Sequence, residues 1–363
     1  MKLQVTQENL NLALNSVGRV ANSRNTLPIL SNVLIQTKNN RLSLSATNLD
    51  IAIVHFIGAK INSEGSITVP ARLMQDFVGN LPSGVIELDL DNTKLKVTTD
   101  QYHSVINGIV ADDFPVMPSI TEGRTWKIEA GVFKKGLQQV VIAASGDETR
   151  QVLTGVYMHT KDGKLYIAAT DSYRLAEKDL GKNDEEVSIL VPANAIQDLL
   201  RVIGDYEGDV VITHDGQQIL FQMGDIELTA RLVEGNYPDY QKLIPSEFTS
   251  SVDLKRADLL NVTKVSSLFA RESAGSVTIE LNEKEGTLSI RSVASQLGEN
   301  TAIAKGKVVG SGSITLNSRY LLDALSAISG EDIFFGFNGK LEPTILKNPK
   351  EQTYRHIIMP LKS

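Results

Sequence analysis

The stretch AATDSYRLAEK (168–178) crowds an aspartate, two hydroxyls and an arginine into a short apolar frame. Asp171, Ser172 and Arg174 could do acid–base or nucleophilic chemistry if a base stood within hydrogen-bond reach of the serine. The sequence supplies no adjacent histidine or lysine to activate Ser172. Three readings stay open: catalysis, one wall of a binding pocket, and ordinary turn chemistry. The residue types favour the wall.

Other chemistry-bearing residues are sparse. The histidines at 55, 103, 159, 214 and 356 are isolated, none spaced as a helical metal pair, and read as strand or turn residues; no metal site and no cofactor is signalled. Asp89 and Asp91 in LDLDN lack the glycine and distal glutamate of a calcium loop and read as a strand leading to a turn. The glycines of GKVVGSGSI (306–314) precede no Lys-Ser/Thr pair and no βα crossover, so they read as a flexible turn and not as a phosphate loop.

Composition bounds the rest. At 363 residues with 42% hydrophobic and 22% charged residues, the chain is a folded protein of more than one domain. With no cysteine, disulfides, thiolate zinc sites and cysteine nucleophiles are excluded. No apolar run is long enough to span a bilayer and the start MKLQVTQENL lacks a secretory layout, so a cytoplasmic location without membrane is expected. A net charge of -7 is unlike that of a tight nucleic-acid binder.

The elements that must position these residues occur three times. SITVPARLMQDFVGNL from Ser66, SILVPANAIQDLLRVI from Ser188 and SITLNSRYLLDALSAI from Ser313 each read as a strand and then a helix, with apolar positions such as Leu73, Phe77 and Leu81, or Ile196, Leu199, Leu200 and Ile203. An alternating meander follows each copy (85–115, 210–238, 333–360), turning at Asn92, Asp215-Gly216 and Asn338-Gly339. An amphipathic helix opens each copy (6–21, 129–144, 253–270), followed by a hairpin (32–53, 155–177, 276–299). The order is helix, hairpin, strand, helix, meander. This predicts three α+β domains, 1–120, 125–246 and 250–363, each with two helices and antiparallel sheets, joined near 118–123 and 245–251.

The opening stretch has repeat equivalents, SATNLDIAI (45–53) and RSVASQLGE (291–299). Its frame is therefore structural, and Tyr173 with Arg174 is what the middle copy adds.

Several motifs, in their order and spacing, resemble the bacterial β sliding clamp family, the processivity subunits of DNA polymerase III, along the whole chain. They are NTLPILSNVLIQ (25–36), TVPARLMQDF (68–77), ADDFPVMP (111–118), AATDSYRLAEKDL (168–180), RLVEGNYPDYQKLIP (231–245) and HIIMPLKS (356–363). The resemblance implies the three-domain DNA-clamp fold, with each chain forming half of a closed ring. Two chains join head to tail around duplex DNA, held topologically without sequence preference, so modest inner basic residues in an acidic body suffice. It implies a non-enzymatic protein partnered with the polymerase III catalytic subunit, the clamp loader, and other polymerases and repair proteins.

The same resemblance nominates Arg24, Arg72, Arg150, Lys264 and Arg319 for DNA, with Arg24 just ahead of TLPIL and Arg72 just after VPA. A peptide cleft between the second and third domains would be lined by Leu153, Thr170, Ser172, Tyr173, Arg174 and Leu175 from the middle domain. Pro238, Lys242 and Leu243 would come from the linker, and Pro343, Ile357, Ile358, Met359, Pro360 and Leu361 from the last domain. Ser172-Tyr173 replaces the Gly-His pair of the family's best-known member, and the chain ends Lys362-Ser363 instead of on an apolar residue. The dimer seam would join the strand carrying Ser104 and Ile106 to the helix carrying Leu268 and Phe269. Two rivals remain: a scaffold of three repeats with no DNA role, and a hydrolase built on Asp171 and Ser172.

Overall fold

The structure is a computed structural model that describes residues 1–21, 27–38, 40–296 and 298–361; Arg24, Lys362 and Ser363 lie outside the described residues. The first repeat comprises β1 (Lys2–Thr6), α1 (Gln7–Ala21), β2 (Asn32–Lys38), β3 (Arg41–Thr47), β4 (Ile51–Ile57), β5 (Lys60–Ser63), β6 (Ser66–Pro70), α2 (Ala71–Gly79), β7 (Val85–Asp91), β8 (Lys94–Thr98) and β9 (His103–Asn107). The second comprises β10 (Arg124–Glu129), α3 (Ala130–Val140), β11 (Gly155–Lys161), β12 (Lys164–Thr170), β13 (Arg174–Lys182), β14 (Ser188–Pro192), α4 (Ala193–Ile203), β15 (Asp209–His214), β16 (Gln218–Met223) and β17 (Ile226–Arg231). The third comprises β18 (Ser250–Lys255), α5 (Arg256–Phe269), β19 (Ser276–Asn282), β20 (Thr287–Ala294), β21 (Gly298–Lys305), β22 (Lys307–Val309), β23 (Gly312–Asn317), α6 (Ser318–Ala327), β24 (Asp332–Phe337), β25 (Thr344–Asn348) and β26 (Glu351–Ile358).

The fold is α+β with antiparallel sheets throughout, and two α-helices fall in each repeat. Each repeat opens on a strand and not on a helix. Leu3 and Val5 alternate inward on β1, a pattern only a few residues long and easily absorbed into the helix that follows. Likewise Asp253-Leu254-Lys255 belongs to β18, and α5 begins at Arg256. The segment 306–314 is also more than a turn: Lys307–Val309 pairs with β18, and the chain then reverses at Gly310, whose φ of 71° glycine tolerates best. Asp89 and Asp91 lie on β7 opposite Lys96 and Lys94, as the reading of LDLDN expected.

Helix faces follow the buried side of the amphipathic pattern. On α4, Ile196, Leu199 and Ile203 are buried as spaced. On α2 the buried face is Ala71, Met74 and Val78, while Leu73 is 53% exposed, so the expected stripe is rotated by about one residue.

Packing divides the chain differently from the repeat. One unit holds Met1–Gly131 and Asn194–Leu232; the other holds Val132–Ala193 and Val233–Ser363. The first contains a five-stranded sheet, β5-β1-β7-β8-β9, and an eight-stranded sheet, β10-β15-β16-β17-β4-β3-β2-β6. The second contains a nine-stranded sheet, β14-β11-β12-β13-β26-β25-β24-β18-β22, and a four-stranded sheet, β21-β20-β19-β23. In the two longest sheets the last meander strand of one repeat pairs with the third hairpin strand of the repeat before it, β17 on β4 and β26 on β13.

Candidate functional site

The turn between β12 and β13 is held by its own side chains. Thr170 Oγ1 donates to the Arg174 carbonyl at 2.6 Å and accepts from the Ser172 amide at 3.1 Å. Asp171 Oδ1 accepts from the amides of Tyr173 and Arg174 at 2.9 and 3.0 Å. This closes the turn with Ser172 in the left-handed region, φ 76°. The first repeat builds the same turn with Thr47 and Asn48. Thr47 Oγ1 donates to Ile51 O and accepts from Leu49 N, both at 3.0 Å; Asn48 Oδ1 accepts from Asp50 and Ile51, and Leu49 has φ 80°.

Above that common frame the middle copy carries Arg174. Its Nε donates to Asp171 Oδ2 at 3.1 Å, its Nη1 donates to Asp323 Oδ2 at 2.6 Å, and its guanidinium carbon lies 4.5 Å from the centre of the Tyr320 ring. The side chain is only 12% exposed, so the cation is fixed by two carboxylates and an aromatic face. Burial, with Asp171 beside it, pushes the Tyr320 phenol up. Ser172 Oγ accepts from Arg150 Nη1 at 2.9 Å, and Arg150 Nη2 reaches the Asp171 carbonyl at 3.4 Å. A guanidinium cannot take the hydroxyl proton, and both Asp171 oxygens already accept hydrogen bonds. The geometry therefore favours holding a ligand over hydrolysis.

The C-terminal strand lies directly beside this segment. Arg174 pairs with Ile358 and Leu175 with Ile357; beyond β26, Met359 N donates to Tyr173 O at 2.8 Å and Leu361 N to Thr315 O at 2.9 Å. Leu153, Thr170, Leu175, Ile357 and Ile358 are buried; Ser172 and Tyr173 are exposed, and Met359, Pro360, Leu361 and Pro343 are half-buried. Pro343 precedes Thr344, which pairs with Ile358. Beneath lie Ala168, Leu175, Tyr240, Ile345 and Ile357, one apolar cluster.

Tyr240, Tyr237 and Ile244 dock the linker onto that cluster. Pro238, Lys242 and Leu243 ride on it, with Leu243 45% exposed and Lys242 Nζ 2.8 Å from Asp239. Pro238 also borders a depression of about 340 Å³ walled by Tyr157, His159 and Tyr240. Stacked rings support it, with Tyr166–His159, His159–Tyr157 and Tyr157–Tyr237 centroids 5.6, 4.8 and 4.9 Å apart. Burial, aided by nearby Lys161, lowers the His159 imidazole to about 4, and His159 Nε2 lies 2.7 Å from the Tyr240 hydroxyl. His356 is wholly buried and lowered to about 3, and its Nδ1 lies 2.9 Å from the Tyr354 hydroxyl.

The remaining nominated residues are dispersed. Arg72 on α2, Lys264 on α5 and Arg319 on α6 are exposed, as is Arg150, whose guanidinium reaches the turn just described from the segment Glu148–Thr154. On β9, Ile106 is buried at 6% exposure and Val105 is 57% exposed, so the apolar side chain the strand presents is Val105. Leu268 on α5 is 53% exposed and Phe269 and Ser104 are half-buried. Sequence reading missed Tyr320 and Asp323. The signal was available: in the aligned helices an aspartate recurs as Asp76, Asp198 and Asp323, and Tyr320 stands where the other copies have Leu73 and Ala195.

Family models of the DNA polymerase III beta subunit match the chain in three pieces: the N-terminal domain over residues 1–118, the central domain over 127–239 and the C-terminal domain over 241–362. The beta sliding clamp of Synechococcus elongatus is 33% identical over 376 residues, covering 100% of this chain and 99% of the relative; that of Staphylococcus aureus is 28% identical over 377 residues, covering 100% of both. Among solved structures, the Bacillus subtilis sliding clamp has 27% identity and a TM-score of 0.95, covering 100% of this chain and 99% of that one. The Bartonella birtlesii clamp bound to griselimycin has 28% identity and a TM-score of 0.95, covering 100% of both chains. With the repeat, the sheet order and this agreement along its full length, the chain belongs to the beta sliding clamp family of DNA polymerase III beta subunits.

Proposed function

We propose that the protein is a non-catalytic sliding clamp, three repeats (1–120, 125–246 and 250–363) forming half of a ring that two head-to-tail copies close around duplex DNA. The observation that carries this reading is the pair of short sheets. Within the chain, the last meander strand of one repeat pairs with the third hairpin strand of the preceding one. At the two ends of the series the corresponding strands, β9 and β21, are terminal strands of the five- and four-stranded sheets. Pairing β9 of one copy with β21 of another repeats the internal rule and makes a sheet as wide as the widest in the chain, with nine strands. The exposed apolar residues fit such a seam: Val105 beside β9's edge, and Ile303, Val293 and Leu268 at 62%, 51% and 53% exposure in the third repeat. A heterologous contact used twice closes on itself.

In this reading Arg24, Arg72, Lys264 and Arg319 face DNA, and Arg150 divides its role between the ring interior and the Ser172 turn. The cleft around Arg174 and Met359 receives apolar peptides of the polymerase III catalytic subunit, the clamp loader, and other polymerases and repair proteins, in the cytoplasm. Loading by a clamp loader with ATP onto nicked circular DNA should leave the protein bound through gel filtration, and linearising that DNA should release it. Equal retention on both forms, or a monomer at micromolar concentration, would refute the ring.

A further inference from the structure

Between α1 and α2 lies an open groove of about 610 Å³ lined by Asn11, Asn15, Arg72, Gln75, Asp76 and Asn80. Its amides are ordered. Gln75 Nε2 donates to Asn15 Oδ1 at 2.6 Å, Asn15 Nδ2 donates to Asn11 Oδ1 at 3.4 Å, and Asn80 Nδ2 donates to the Asp76 carbonyl at 2.7 Å. The chain of donors runs one way, leaving the Asn11 amide N–H groups at its head. Hydrogen bonds aligned in this way polarise one another and strengthen the terminal donor.

A second observation bears on the pose of Gln75. Gly18 is buried inside α1, where glycine is unfavourable. A Cβ there would stand 2.8 Å from Gln75 Oε1, so the bare backbone gives the glutamine amide room to lie against the helix in this pose. The two charged residues of the groove oppose each other, with Arg72 Nε 4.0 Å from Asp76 Oδ2. The Asp76 carboxylate repels an anion as Arg72 attracts one, and the groove carries no net formal charge.

We propose that this groove is a neutral phosphate-tracking subsite, in which the amides of Asn11, Asn15 and Gln75 donate hydrogen bonds to DNA phosphate oxygens. It rests on the sliding-clamp reading and deepens it. A phosphate contact made by a charged side chain releases counterions, so affinity falls with salt with a slope of about -0.9 per contact. An amide contact releases none. Such a track supports the duplex at any salt concentration without a deep electrostatic well at each phosphate, which suits a protein that must translate along it.

The test is fluorescence anisotropy of a short labelled linear duplex with the full-length protein, from about 20 to about 200 mM salt. An Asn11→Ala/Gln75→Ala double variant should bind about 5-fold more weakly at every salt concentration with an unchanged slope. The near-isosteric Gln75→Glu should weaken binding further, Asp76→Asn should tighten it, and Arg72→Ala should flatten the slope by about 0.9. Wild-type affinity in the double variant and in Gln75→Glu would overturn the subsite, as would a slope change equal to that of Arg72→Ala. A wild-type protein that is not retained on circular DNA would instead sink the clamp reading, so the two failures are distinct.

Discussion

Thr47–Ile51 and Thr170–Arg174 are one turn built twice. In both, a threonine hydroxyl bridges two main-chain groups, an Asx oxygen collects two amides, and a non-glycine residue sits at positive φ. The paired meander strand of the next repeat makes the same contact at its end, Arg231 N to Asp50 O and Met359 N to Tyr173 O. What differs is what the turn holds up. The first copy presents Leu49, Asp50 and Ile51; the second presents Ser172, Tyr173 and Arg174, with Arg150, Tyr320 and Asp323 gathered around them. A repeated frame can thus be kept for folding while one copy, under the proposed function, is given over to recognition.

Arg174→Ala should separate the two roles most strongly. It strands Asp171 and Asp323 without their shared cation, so a loss of about 3 kcal/mol in unfolding free energy is expected, together with loss of peptide binding in a titration. Intact affinity for a clamp-binding peptide would remove Arg174 from the cleft.

Acid should weaken both sheets that carry the turns, since burial also lowers His55 on β4 and His214 on β15 in the eight-stranded one, but should act more strongly on the nine-stranded sheet. His159 and His356, in the nine-stranded sheet, are held neutral by burial, lowered to about 4 and about 3. The unfolded chain takes up protons near pH 6.5 and the folded one does not, so stability present above 6.5 is lost as pH falls toward 4, by about 2 kcal/mol for His159. Hydrogen exchange at pH 7 and pH 4.5 should show β11, β12 and β26 losing protection, and His159→Phe should blunt the change at β11 and β12.

Asp171→Ala and Asn48→Ala each remove the acceptor of two amides and should cost about 1 to 2 kcal/mol. The Asp171 variant should show the larger effect because it also releases Arg174. Equal melting shifts would mean that the Asp171–Arg174 contact contributes nothing to stability. Tyr173, 57% exposed, should be the mildest site. Tyr173→Ala should leave melting within about 0.5 kcal/mol while weakening peptide binding, and a large melting shift would reassign the residue to the fold.

The repeat made much of this visible in sequence. Strand–helix copies from Ser66, Ser188 and Ser313 and the meander turns at Asn92, Gly216 and Gly339 follow from local period and turn chemistry, and they recur as β6-α2, β14-α4 and β23-α6. Ala-Thr at 46–47 and 169–170 announced a shared turn, and the Asx and threonine hydrogen bonds are what that pair encodes. Less legible were contacts whose partners are far apart in the chain. Arg174 and Asp323 are 149 residues apart, and β13 with β26 is a pairing no local pattern specifies. The reach of Arg150 to Ser172 is of the same kind, because nothing nearby in sequence shows that its guanidinium hydrogen-bonds there.

The mismatch between repeat and packing unit bears on dissection of the chain. The middle repeat contributes β15-β16-β17 to one sheet and β11-β12-β13 to another, so a cut at either repeat boundary tears a continuous sheet. A fragment holding a single repeat would carry one donor edge and one acceptor edge, each complementary to the other but on opposite ends of the piece. Such fragments should associate into chains of variable length. Under the proposed ring, the three-repeat length is what turns an open polymer of beads into a unit that two copies can finish.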